Sequence, residues 1–484
     1  MRRFLLLVMA ALLLVAALPA VAFAQETPVV QGTATTEDVA IAIDTTFVFL
    51  AALLVLFMQA GFAMLEVGFS RMKNVGSVVA KILAMMGIGI VTFWAVGFAF
   101  TFSDGGGLNQ IIGGQGFFLS GDEATYTGLA WTAVPVSVKF LFQVAFALVS
   151  LAIVWGTMLE RTRFAVYCIF AVVFAGLIYP IVGHWIWGSG WLAEFGMQDF
   201  AGSTVVHLSG AMAALAGTLL LGPRIGKYDD AGNPQTISGH NMPLAVLGVI
   251  ILWVGWWGFN PSSTMAAVGQ SIGDIALTTN LAAGAGVLGA MTLSYLYKRN
   301  LDVGMMGNGA IAALVAITAA CAFVAPWAAI VIGFIAGVIM YTVLIMVDKI
   351  GVDDPLGAIA AHGMGGIWGT LSCGLFATPE LVEATGFGRP GLFYGGGLAQ
   401  LGVQALGVLT CGGFVFLASY AVFALLKATI GLRVKPEDEL NGLDISEHGV
   451  YGYSEQLIAT DYQNGSGGSM PIPEGRTTQG TASS

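Results

Sequence analysis

Charge is what this chain has least of. Asp, Glu, Lys and Arg together make up 10% of its 484 residues, against about 25% in a soluble domain. With 57% hydrophobic residues and a mean hydropathy of +0.83, that shortfall excludes a water-soluble globular class. Cysteine is also scarce. Cys168, Cys321, Cys373 and Cys411 all fall inside apolar runs, and no two form a C-x-x-C pair. They read as small core residues, neither disulfides nor metal ligands. No G-x-x-x-x-G-K-[ST] loop occurs among the 67 glycines, so these read as small residues for close helix packing. No nucleophile–base constellation is found, which argues against an enzyme. No cofactor motif is found, and a formal charge of −10 argues against a nucleic-acid partner.

Long apolar runs are what the chain has instead. They recur from end to end and exceed the 18 or so residues that mark a membrane span. The opening run is a separate matter. Arg2 and Arg3 precede an apolar stretch from Phe4 to about Leu18, and Ala22-Phe23-Ala24 gives a small-x-small site. Residues 1–24 read as a secretory signal peptide, cleaved after Ala24; an uncleaved first helix is the other reading. Eleven candidate spans follow, centred near Val55, Ile90, Ala145, Ala175, Ala214, Ile251, Val287, Val315, Phe334, Ile367 and Val415. Cleavage would leave the amino end outside, and an odd number of spans would then put the carboxyl end in the cytoplasm. The basic residues agree. Arg71, Lys73, Lys81, Arg161, Arg163, Arg224, Lys227, Lys298, Arg299, Lys349, Lys427, Arg433 and Lys435 fall in segments expected on the cytoplasmic side. Only Lys139 and Arg389 fall on the outer side, a strong positive-inside bias. The expected layout is a signal peptide (1–24), an extracytoplasmic segment (25–43), a membrane domain (44–427), a structured cytoplasmic tail (428–453) and a Gly/Ser/Thr/Pro-rich disordered end (454–484). No soluble output domain is read in it.

Two segments share one pattern. Asp199 to Gly210 and Asp354 to Gly365 both read D-x-x-G-x-x-x-x-H-x-x-G. They open the fifth and tenth expected spans, and an offset of five reverses direction, as in an inverted-topology repeat. Eight helical residues rise about 12 Å, and half of a hydrocarbon core is about 15 Å. Each aspartate then sits near a membrane surface, and His207 and His362 meet near the midplane. An aspartate opening a helix is most often a cap, and that is a sufficient role for Asp354. A lone intramembrane histidine is often a helix–helix hydrogen bond. Two at matched depth point to function, because ionisable groups in a membrane are costly and mark pathways. A zinc site is disfavoured, since it needs three or four ligands and neither segment holds a Cys, a Glu or a further His.

At these residues the chain resembles the ammonium transporter family, of the ammonium transporter/Rhesus superfamily. The likeness runs from about Asp44 to Tyr453. It rests on GFAMLEVGFSRMKN (61–74), LERTRF (159–164), DFAGSTVVH (199–207), GWWGFNPSS (255–263), DDPLGAIAAHGMGGIWG (353–369) and the pieces GLRV and GLDISEHG between Gly431 and Gly449. The resemblance implies an all-α membrane protein of eleven transmembrane helices with a 5+5 inverted repeat. His207 and His362 then match twin histidines in a hydrophobic pore, with Trp256 lining it. Phe146 and Phe259 match a phenylalanine gate. Phe142, Trp187 and Ser263 match an outer site that recruits ammonium, and Asp199 matches the aspartate supporting it. The resemblance further implies a homotrimer, methylammonium as a substrate analogue, and a PII-type signalling protein on the cytoplasmic face. Taken without the motifs, the phenylalanines could be ordinary core contacts and Trp187 an interfacial belt residue. An ammonium sensor with little flux, or a Rhesus-like neutral-gas channel, are the alternative readings. Trp187 and Ser263 favour the ammonium branch, because an aromatic face and a hydroxyl suit a cation that donates hydrogen bonds.

Overall fold

The structure, a computed structural model, describes residues 34–453. The expected signal peptide and the expected disordered end from 454 lie outside the described residues. Among those residues the chain is helical throughout, with strand geometry confined to two isolated bridges.

Helix α1 (Thr36–Phe69) opens on a capping box, in which the Thr35 hydroxyl accepts from the Asp38 N–H and Asp38 accepts from the Thr35 N–H. Helix α2 (Val75–Thr92) continues through a π-helical turn at Phe93–Gly97 into Phe98–Phe102. Helix α3 is Val136–Gly156, and α4 runs Phe164–Val173, a π-turn at Phe174–Ile178, and Tyr179–Trp187. Helix α5 begins as a π-turn at Ser203–Leu208 and goes on as Ser209–Leu221. Then come α6 (Met242–Phe259), α7 (Ile272–Lys298), α8 (Val303–Ala320) and α9 (Pro326–Lys349). Helix α10 also begins as a π-turn, Ile359–Met364, before Gly365–Phe376. Helix α11 is Ala399–Thr429, and short helices α12 (Pro436–Asn441) and α13 (Leu443–His448) follow.

Ten of the described helical stretches are long and apolar enough to cross a membrane, and ten of the expected span centres fall in them. The eleventh centre, Ile367, falls in α10. The arrangement is that of an all-helical membrane protein. Phe57, Leu83 and Leu417, on α1, α2 and α11, are all more than half exposed, as a lipid-facing surface requires and a water-facing one would not tolerate.

Helix α1 packs on α6 and α3, α5 on α11 and α3, α7 on α9, and α8 on α6 and α10. At one end of the bundle the segment after α11 folds back over the helix ends. Leu432 O accepts from Arg163 N–H (2.9 Å), and Val434 N–H donates to Arg161 O (3.1 Å). Asp444 accepts from Gly76 N–H (3.0 Å) and Ser77 N–H (2.8 Å) at the start of α2, where a carboxylate meets the positive end of the helix. This end is called the tail face here, and the opposite end the far face.

A buried charge cluster closes the tail face. Glu160 accepts from Arg71 N–H (2.5 Å) and Nε (2.7 Å), and lies 3.4 Å from Arg224 Nη1. Asp353 accepts from Arg224 N–H, Nε and Nη2, each at 2.9 Å. Arg161 is fully buried and lies 3.7 Å from Asp353. Burial alone would push the Asp353 carboxyl up, but the Arg224 hydrogen bonds and the Arg161 charge override it and hold it at about 2. Glu160 is likewise held below the usual carboxylate range, its burial outweighed by Arg224 and Arg71. Arg433 reaches the Pro223 carbonyl (2.7 Å), so the tail is fastened next to this cluster.

The structure corrects one expectation here. Lys81 was expected in a segment at the cytoplasmic surface. It lies instead inside α2, 1% exposed and paired with an equally buried Glu66 on α1. Counting charges along a sequence cannot see a partner on another helix, and the partner is what makes burial tolerable.

Candidate functional site

The two D-x-x-G motifs fold alike. Asp199 Oδ2 accepts from Thr204 N–H (3.0 Å) and Val205 N–H (2.9 Å). Asp354 accepts from Ala358 N–H (2.9 Å) and Ile359 N–H (2.8 Å). Each carboxylate thus caps the helix that carries its histidine. The motif glycines, Gly202 and Gly357, take φ of +110° and +74°, a backbone region that L side chains avoid. Each histidine then sits in a π-turn. Such turns leave backbone carbonyls without their usual partner, and Ser150 Oγ donates to one of them, Val206 O, at 2.7 Å. Helix α5 starts at the far face and ends near the tail, where Leu221 O accepts from Arg433. Helix α10 starts beside Asp353 in the tail-face cluster. The two histidines therefore ride on helices of opposite direction.

Their rings meet. His207 Nδ1 and His362 Nδ1 are 3.3 Å apart, one donating and the other accepting, and the ring planes differ by 20°. His207 is wholly buried, and its Nε2 has no hydrogen-bond partner. Trp256 lies across His207 at 5.3 Å between centroids, and its indole N–H donates to Thr318 Oγ1 (2.9 Å). On the far-face side Phe259 follows at 5.6 Å from His207. Phe146 lies 4.0 Å from Phe259, and Phe142 lies 4.6 Å from Phe146. Trp187 meets Phe146 edge-on at 6.1 Å. Ser263, in the turn Pro261–Thr264 after α6, donates to Phe259 O at 2.8 Å. All nine residues singled out in the sequence thus form one column or touch it. Asp199 touches it indirectly: its backbone carbonyl accepts from the Trp187 indole (2.8 Å), while its carboxylate serves the α5 cap.

The column is aromatic and largely buried, with polar side-chain atoms at Trp187 and Ser263 on top, at the Trp256 indole N–H turned to Thr318, and at the histidine pair below. An aromatic face attracts a cation, two closely apposed phenylalanine rings exclude water, and imidazoles donate or accept according to protonation. Among the described residues no group of three or more His, Cys, Asp and Glu side chains could hold a metal ion.

Gly202 packs between Trp187 and the turn that carries His207. A Cβ there would come within 2.7 Å of Val206 Cγ2 and 2.9 Å of Trp187 Cη2, and the φ of +110° would be strained. Gly202→Ala is therefore expected to cost about 1–3 kcal/mol and to displace Trp187. Thermal unfolding in detergent should show the loss, and the KM for methylammonium uptake should rise several-fold.

Sequence reading missed Phe62, Glu66 and Asn308, which line a cavity on the tail side of His362. Phe62 and Glu66 stood in the motif at 61–74, but nothing local marks which face of α1 they occupy.

Comparison with known proteins identifies the chain's relatives. The model of the Ammonium Transporter Family matches residues 46–453. Ammonium transporter Amt2 of Archaeoglobus fulgidus is 42% identical over 436 residues, covering 86% of this chain and 89% of that protein. The ammonium transporter of Bacillus subtilis is 35% identical over 419 residues, covering 86% and 99%. Among solved structures, one described as "Sensor Amt Protein" superposes with a TM-score of 0.78 at 36% identity, covering 85% of this chain and 100% of that one. Mep2 of Candida albicans superposes with a TM-score of 0.76 at 26% identity, covering 87% and 93%. With that match to nearly all of the described residues, the chain belongs to the Ammonium Transporter Family.

Proposed function

We propose that this protein conducts ammonium across a membrane by capturing the cation at Trp187, Phe142 and Ser263, stripping its water at Phe146 and Phe259, and passing neutral ammonia along His207 and His362. The observation that carries the reading is the 3.3 Å contact of the two imidazoles directly behind a buried phenylalanine pair. A charge at the centre of a bilayer costs at least about 3 kcal/mol. Ammonium avoids that cost by leaving its proton behind, which potassium, of similar size, cannot do. Imidazole suits the exchange because its two nitrogens serve as donor or acceptor near neutral pH.

The reading includes eleven membrane-crossing helices in a 5+5 inverted repeat, a homotrimer with one pore per subunit, an amino end outside, and the tail face in the cytoplasm. The basic residues Arg71, Arg161, Arg224 and Arg433 at the tail face support that orientation. The docked tail offers a surface for a PII-type protein. A sensor role is the second reading, favoured by the likeness to the structure described as a sensor Amt protein.

The recruitment step is tested by Trp187→Ala in proteoliposomes. Uptake of labelled methylammonium should show a KM raised about tenfold, the loss of one cation–π contact worth on the order of 1–2 kcal/mol, with the maximal rate nearly kept. An unchanged KM would remove Trp187 from the pathway.

A further inference from the structure

We propose that the Glu66 carboxylate, clamped by Lys81, is a cation-binding site at the tail-face mouth of the pore, where ammonium rests after its ammonia has passed His362. The inference rests on the conduction reading above.

Glu66 lies one helical turn beyond Phe62 on α1, so both face the same way. The Phe62 ring is 6.5 Å from the His362 ring. Phe62, Glu66, Asn308, Leu356 and His362 share one small cavity of about 20 Å³, room for roughly one water-sized molecule. Its remaining lining is apolar apart from backbone groups. The path that leaves the histidine pair therefore opens directly onto a carboxylate.

That carboxylate is half satisfied. Glu66 is wholly buried, and its Oε2 is bonded to Lys81 Nζ. Its Oε1 is buried with no hydrogen-bond partner. A buried carboxylate oxygen without a donor is costly, and the cavity beside it is the space from which a donor would come. A small cation carrying several N–H groups fits, because a charge-assisted bond to a carboxylate is about twice as strong as a neutral one. Ammonia emerging past His362 uses its nitrogen lone pair to take a proton from a hydrated proton at the aqueous mouth. An N–H bond forms, an O–H bond breaks, and water is left over. The resulting ammonium is held at Oε1.

Lys81 sets the strength of the site. Its ammonium group lies on the far side of the carboxylate and over the Tyr167 ring, 5.8 Å from the centroid. The pair carries no net charge, so the site attracts a cation at contact range but releases it, as a conducting path requires.

The test uses proteoliposomes of known orientation, with labelled methylammonium offered from each face in turn. Glu66→Gln/Lys81→Gln removes both charges together and leaves no unpaired buried ion. Its KM from the tail face is expected to rise about tenfold, while its KM from the far face changes less than about twofold. Glu66→Asp, which keeps the charge but draws it back from the cavity, should fall between. It also stands in if the double variant does not fold by size-exclusion chromatography. An unchanged tail-face KM overturns the proposal. An equal rise at both faces also overturns it, as general distortion. A wild-type protein that carries no methylammonium from either face overturns the conduction reading, and this site with it.

Discussion

Replacing His207 and His362 together by leucine is expected to lower ammonium flux at least about a hundredfold. Leucine has nearly the volume of histidine, so the column should stay closed and packed. What disappears are the imidazole nitrogens between Phe259 and the cavity at Glu66. Ammonia crossing that stretch would lose its hydrogen-bond partners in a dry channel, at about 1–3 kcal/mol for each bond left unmade. Losses of about 3 kcal/mol correspond to roughly a hundredfold in rate. A single replacement should cost less, because one imidazole remains to meet the substrate, although the surviving Nδ1 loses its 3.3 Å partner. The melting temperature separates chemistry from folding. Leucine in a buried apolar column should hold or raise it, so a strong flux defect with intact stability would locate the effect in the pathway.

Removing the Asp199 carboxylate should damage both folding and transport. Asp199→Ala strips the acceptor from Thr204 N–H and Val205 N–H in a fully buried turn. Each orphaned donor costs about 1–3 kcal/mol, so a loss on the order of 2–4 kcal/mol is expected. The Ser203–Leu208 turn would then rearrange, and His207 with it. The Trp187 indole, whose donor meets the Asp199 carbonyl at 2.8 Å, would shift too. Both KM and maximal rate for methylammonium should therefore suffer, with flux down at least about tenfold. Asp199→Asn keeps one carbonyl acceptor in place and should recover a good part of the stability. If Asp199→Ala lowered only the KM-dependent step and left stability unchanged, the capping role drawn from the geometry would be wrong.

The parts of the site that local spacing encodes were readable in the sequence. An aspartate, a glycine three residues on and a histidine five further on define a cap, a left-handed turn and a depth. All three recur in both motifs, and the structure brings the two rings together. The π-turns were not readable. They depend on bonds to other helices: Ser150 Oγ on α3 donates to Val206 O, and Ser203 Oγ of the turn donates to Val315 O on α8, each at 2.7 Å. Nor was the fate of the charged residues readable. Lys81, Arg161 and Arg224 looked like surface cations because the acids that neutralise them, Glu66, Asp353 and Glu160, lie on other segments of the chain. Helix α10 shows the same limit from another side. Its span was expected around Ile367, yet it is shorter than α9 and α11 and its first turn, Ile359–Met364, is π-helical.

The central claim is that the protein carries ammonium through the aromatic column past the two histidines. Its most direct measurement is the rate at which purified protein in liposomes takes up labelled ammonium down an imposed gradient, beside protein-free liposomes. The account predicts saturable uptake well above that background, competed by methylammonium and not by potassium. Binding of ammonium without uptake above background would contradict it and leave the sensor reading in its place.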